Sequence, residues 1–366
     1  MNIYGILHAP LNAAKATLAY RATAFGYANA RIKAMKEGLL SEKEISAMAA
    51  AKDTREIIAL LEKTKYREEL VEEAAEHDKE GLIELALGRN LEKTIAGIKK
   101  LAPKQMQKEM QSILQRFDVH NIKTILLAKH LGKNAWEARH FLLQAGTIKK
   151  SDLEHMLSLE GVEKTVLFLG KTKYGSLLED FLGEYKNTNS IQPMLGALDS
   201  HYFTRLVKDF TARHSSDRIV LGLLKAEIDK KNVANILRGK MHGIPGKELE
   251  KHIIPSGSMG EEILKKMSYT SDVSEAAKVL SERIDLKKAL EKYNADKKIS
   301  HFEIALETMV TKKSLSVLRR SILSIGTIIG FIFLKEEETK NIRKIVRAKE
   351  FNLGEQETED MLVMAG

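Results

Sequence analysis

The chain has 366 residues, no cysteine, five prolines and a formal net charge of +9. Without cysteine there is no disulfide framework, thiolate metal site or cysteine nucleophile. So little proline permits long uninterrupted helices, and 43% hydrophobic with 30% charged residues argues for a folded rather than a disordered chain.

In chain order, Met1 to Lys36 contains no acid and offers two readings, an organelle transit peptide or an ordinary first helix; the absence of a cleavage signature favours the helix. A 3.6-residue pattern from near Thr54 carries Ile57, Ile58, Leu60 and Leu61, and Leu70 to Leu87 reads as a further amphipathic helix. Val166 to Leu169 is too short to separate strand from helix. Turn signals stand at Thr188–Pro193, Met241–Gly246 and Ile254–Gly260. The uncharged run Ser321 to Leu334 reaches only about 21 Å as helix, short of a bilayer core of about 30 Å, so it is expected to be a buried helix rather than a membrane span.

The strongest signal is self-similarity. Asp118, Asn121, Ile125 and Lys129 recur as Asp229, Asn232, Ile236 and Lys240, and again as Glu338, Asn341, Ile345 and Lys349, the asparagines 111 and 109 residues apart. Lys63-Thr64-Lys65-Tyr66 recurs 108 residues later as Lys171-Thr172-Lys173-Tyr174. Asn29 is a weaker fourth match. On a helix the acid, Asn, Ile, a small residue and Lys share one stripe roughly 100° wide. A small residue beside an Asn lets a second segment approach closely, and the Asn amide satisfies groups across the contact. The acid and the Lys suit the dipole of a helix spanning this stretch. The period divides the chain into units 1–117, 118–226 and 227–366, the last with a closing C-terminal helix. Each carries an excess of three basic groups (19 against 16, 15 against 12, 25 against 22), so the +9 is no single basic patch.

Catalytic signatures are missing. Gly170-Lys171-Thr172 lacks the upstream glycine of a phosphate loop, having Thr165 there, and His120, His130 and His140 are spread around a helix. The expectation is no catalytic residue, no metal and no cofactor.

The repeated helices, with Tyr27 to Met35 near the start and Asn341 to Lys349 near the end, resemble the C subunits of archaeal A-type ATP synthases, whose relatives include the same subunit of bacterial V/A-type enzymes and the d subunit (AC39 type) of vacuolar proton pumps. The resemblance covers essentially the whole chain. It implies an all-α fold of three similar helical units around a pseudo-threefold axis, shaped as a funnel. It implies a non-catalytic rotor adaptor joining the central-stalk D and F subunits to the membrane ring of proteolipid (c/K-type) subunits, coupling ATP synthesis or hydrolysis to proton or sodium transport. The chain would be a peripheral protein on the cytoplasmic face of the membrane, without a transmembrane segment and monomeric in isolation. Ring-facing loops are expected at Ile244 and Pro245 and at Ile254, Pro255 and Met259, from their turn chemistry and apolar tips. The competing expectation is a helical-repeat scaffold binding nucleic acid or another acidic partner through the basic excess, which its even spread weakens.

Overall fold

The structure, a computed structural model, describes residues 23, 25–76, 81–214, 218–321 and 324–364. Most of the acid-free leader, and with it the transit-peptide reading, lies outside them.

The described residues are helical, with no strand. A first helix covers 25–36 (α1). Then follow α2 (Glu42–Ala50), α3 (Thr54–Leu61), α4 (Arg67–Glu76), α5 (Leu82–Leu101), α6 (Gln107–His130), α7 (Ala135–Arg139), α8 (Lys150–Ser158), α9 (Gly161–Leu169) and α10 (Lys173–Glu179). The second half comprises α11 (Leu182–Thr188), α12 (Gln192–His214), α13 (Arg218–Met241), α14 (Gly246–Lys251), α15 (Glu261–Ser268), α16 (Val273–Ser281), α17 (Lys287–Asp296), α18 (Ser300–Arg320), α19 (Gly326–Glu350) and α20 (Glu355–Asp360). Short helices come in groups, each followed by two long ones: α5 with α6, α12 with α13, α18 with α19. The repeated Asn lies on the second long helix every time.

Local chemistry sets these bounds. Ser41 and Glu44 form a reciprocal cap at the start of α2, and Asp53, Asn134, Thr172 and Asp272 accept first-turn N–H groups of α3, α7, α10 and α16. Pro103 and Pro245 precede helices and Pro193 sits in the first turn of α12, where a missing N–H costs nothing. The three motif helices α6, α13 and α19 stop alike. Gly132, Gly243 and Asn352, each eleven residues past its motif Asn, take left-handed φ of 64°, 69° and 55°. The next N–H then turns back to the motif's small residue: Lys133 to Ala128 (2.9 Å), Ile244 to Gly239 (2.9 Å) and Leu353 to Ala348 (2.8 Å).

The motif helix α6 lies against α12, α13 against α18, and α19 returns to α5 near the start of the chain. The divisions at 117/118 and 226/227 mark the repeat period and fall inside α6 and α13. Val166 to Leu169 belongs to α9, and residues 326–334 of the uncharged run form the buried first third of α19. Among the described residues no helix is long and apolar enough to cross a membrane.

Candidate functional site

The repeated Asn side chains do one job. Asn121 donates its amide to the Leu143 carbonyl (2.7 Å) and accepts the Leu143 N–H (2.8 Å). Asn232 does the same with Ile254 (2.8 Å both ways), and Asn341 with Val363 (2.8 and 3.0 Å). All three partners lie 22 residues on, and all three Asn are buried. A buried peptide group off any helix has no ladder to satisfy it, and the Asn amide supplies both missing bonds. Asn29 instead donates to the Ser324 carbonyl.

The acid and Lys of each motif serve a neighbouring helix. The lysines also stand in the last turn of their own helices, as their dipoles favour, whereas the acids lie mid-helix, away from the N-terminal end expected for them. Asp118 accepts the N–H groups of Thr147 (2.6 Å) and Ile148 (2.9 Å), just ahead of α8. Lys129 donates to the Leu157 and Leu159 carbonyls at the other end of α8. Asp229 accepts from Ser258 (2.9 Å) and Met259 (3.1 Å) ahead of α15, and Lys240 donates to Thr270 beyond it. Glu338 accepts the Leu40 N–H ahead of α2, and Lys349 donates to the Ala49 carbonyl in its last turn (2.6 Å). Negative charge sits at the N-terminal end of the clamped helix and positive charge at its C-terminal end, as its dipole favours. Burial pulls the Lys129 and Lys240 amines below their ordinary value.

The Lys-Thr-Lys-Tyr strings belong to the same joints. Thr64 and Thr172 donate to the Leu61 and Leu169 carbonyls and accept the Tyr66 and Tyr174 N–H groups. These corners aim Tyr66 at Glu338 (2.7 Å) and Tyr174 at Asp118 (3.4 Å). Burial, aided by the neighbouring carboxylate, pushes both phenols up. Gly170 to Thr172 is thus a helix-to-helix corner; at Gly175 a Cβ would run into the Leu169 carbonyl, leaving no space for a phosphate. One repeated residue escaped the sequence reading: Gly38, Gly146 and Gly257 share the same spacing, and at Gly146 and Gly257 a Cβ would collide with the motif carboxylate.

Between the motif helices lies a cavity of about 580 Å³. Five residues before each motif Asn stand Arg116, Glu227 and Glu336, and these three equivalents meet. Arg116 lies 2.9 Å from Glu336 and 3.7 Å from Glu227, with its guanidinium 4.2 Å above the Phe333 ring. Burial raises the Glu336 carboxyl, with Glu227 adding to the effect. Burial works the same way on Glu227, but Lys230 (2.8 Å) and Arg116 outweigh it and hold Glu227 down at about 2. Further along the helices His120, Lys123, Lys231, Arg238, Lys340 and Arg343 line the wall, Lys123 and Lys231 sharing Asp199 at 2.7 and 2.8 Å. The motif helices are therefore joined at one level and line a space beside it whose wall mixes these charged groups with apolar side chains such as Phe117, Leu195 and Phe203. The −5 residues differ in type, so no repeated string marked them.

The expected ring-facing residues separate. Ile244 and Pro245 are exposed just past α13. Ile254 is 2% exposed, its backbone held by Asn232, so it is no apolar tip. The Met259 N–H is turned in to Asp229 and its side chain packs on the apolar core formed by α13–α18; Pro255 is half-buried. No metal-binding cluster of His and acidic residues occurs among the described residues.

The sequence matches the model of the ATP synthase (C/AC39) subunit family over residues 28–361. It is 27% identical over 342 residues to the C subunit of the A-type ATP synthase of Thermoplasma acidophilum, covering 91% of this chain and 96% of the relative. It is 29% identical over 349 residues to the corresponding A-type ATP synthase protein of Methanocaldococcus jannaschii, covering 93% and 86%. A match of this extent, along a chain whose three motif helices surround one cavity, places it: the chain belongs to the ATP synthase C/AC39 subunit family.

Proposed function

We propose that the chain is the non-catalytic rotor adaptor of an A-type ATP synthase, seated between the central-stalk D and F subunits and the membrane proteolipid ring, on the cytoplasmic face of the membrane. In this reading it passes torque so that ATP synthesis or hydrolysis is coupled to proton or sodium transport. The observation that carries it is the cavity among α6, α13 and α19 in a chain matching the family over residues 28–361. The three helices are pinned together at Arg116, Glu227 and Glu336. Eleven residues on, Leu127 and Arg238 are partly exposed, so the space is about 16 Å deep. We read this as the funnel, with three units around a pseudo-threefold axis and its opening shaped for a helical end. Torque needs a wall that does not shear, and helices cross-braced by buried charge pairs supply it.

The test is co-purification of the tagged chain from its own cells in mild detergent. Recovery of stalk and proteolipid subunits is expected; recovery of neither removes the reading. Ile244→Glu then tests the exposed tip after α13. Loss of ring binding with stalk binding kept places that tip against the ring; the reverse places it at the cavity rim.

A further inference from the structure

The three joints differ in how the chain reaches them. At the first two, the Asn pairs lie 22 residues apart, and the acid and Lys contacts lie 28 to 30 apart. Such a short tether keeps the halves of a joint at high effective concentration whenever they part. At the third, Glu338 and Lys349 reach Leu40 and Ala49 across 298 and 300 residues. Helix α2 is thus held on α19 with no short covalent tether between them; its anchor from the N-terminal side is non-covalent, through α1, whose Ile32 shares a core with Phe331 of α19. Among the described residues, the core of α2–α5 receives Ile342, Ile345 and Leu362 as its buried side chains from the C-terminal side. This joint also holds a buried cluster: Lys335 donates to Glu338 (2.7 Å) and to the Tyr66 hydroxyl (2.9 Å), its ammonium 4.2 Å above the Tyr66 ring. A buried ion pair adds little net stability but enforces one register, which an untethered joint needs most.

The same seam reaches the cavity. Arg343 of α19 lines the cavity wall and also holds Glu84 of α5, 2.9 Å from its Nε. Parting α5 from α19 therefore breaks a wall contact as well.

We propose that α2–α4, together with the start of α5 that carries Glu84, form a latch on α19. The seam between the two ends of the chain is where the molecule opens and recloses, letting a partner's helical end into the cavity; this last step rests on the adaptor reading above.

The absence of cysteine makes the test clean. Lys349→Cys with Ala50→Cys, an exposed position beside Ala49, joined by a short bis-maleimide, closes the seam; Lys240→Cys with Thr270→Cys, joined alike, is the tethered control. Amide hydrogen exchange of the full chain is the readout. The seam link is expected to slow exchange in α2 and α3 about tenfold or more, and the control link to slow α15 less than about twofold. Equal slowing at both joints, or none at the seam, overturns the latch. Lys349→Met keeps the question decidable if a cysteine pair fails to fold. It should speed exchange in α2 and α3 while α8 and α15 keep their rates; unchanged exchange in α2 and α3 overturns the latch. Mixed with its own D and F subunits, the seam-linked chain should capture them about tenfold more slowly than the control-linked chain. Equal capture rates overturn the entry step. Failure of the unlinked chain to bind D and F removes the adaptor reading and leaves the exchange result to judge the latch.

Discussion

The second joint and the closing joint use the same parts under different constraints. At the second, Asp229, Asn232 and Lys240 hold a segment that follows directly on their own helix, and Gly239 lets Leu249 lie against the helix backbone. At the closing joint Ala348 stands where Gly239 does, Glu338 replaces the shorter Asp229, and Lys335 and Tyr66 fill the remaining space. A tethered joint can rely on proximity and close packing. An untethered one must recognise its partner, and it adds the buried Lys335 to a phenol–carboxylate pair that the first joint also has.

The largest effect expected from breaking this comparison is at the asparagines. Asn232→Ala strands the Ile254 N–H and carbonyl in the interior, a cost of about 3 kcal/mol. Denaturant unfolding should show that loss in one transition. Asn341→Ala carries a similar local cost, but α20 and the Val363 segment then loosen the seam, so α2–α4 should melt ahead of the rest; a single coincident transition for both variants would contradict the difference.

The next effect is electrostatic. Glu227 is held at about 2, below an unfolded value near 4.5, so its contribution is present above pH 4.5 and lost as pH falls toward 2. That loss amounts to about 3 kcal/mol. Glu336 is raised, so its sign is opposite: its contribution is present below its unfolded value and fades as pH rises through its folded one. Stability followed by urea unfolding between pH 3 and 7 should show a shallower acid-side slope in Glu227→Gln and no such flattening in Glu336→Gln.

Gly239→Ala comes third. The added methyl displaces Leu249, costing about 1–2 kcal/mol after the gain in helix propensity. The resident alanines Ala128 and Ala348 show that the other joints accommodate that methyl. Asn352→Gly is the smallest, a gain of about 0.5 kcal/mol at the left-handed stop of α19, visible as a small rise in Tm.

Much of this was legible in the sequence because the motif residues are buried and each does the same job three times. The asparagines, Ile125, Ile236 and Ile345, and the small residues before the helix stops follow from helical spacing alone. What the Asn grips was not legible, because Leu143, Ile254 and Val363 are used for their peptide groups, which no residue type announces. The acid and Lys were read against their own helix, since one helix is all that spacing describes; their true object is a neighbour reached through a loop. The closing joint was hidden for a related reason: its two halves stand at opposite ends of the sequence, with Gly38 and Tyr66 on one side and Glu338 on the other.

The meeting of Arg116, Glu227 and Glu336 bears on how such a chain can arise at all. Where three copies of one position converge, a charged residue cannot be the same in all of them, because three like charges in a buried space repel. A freshly triplicated sequence would have carried either three identical ions there or a neutral side chain. One cation between two carboxylates is a departure from sameness that the assembly itself demands. A sequence rebuilt from the average of the three repeats would keep every joint and fail at that point.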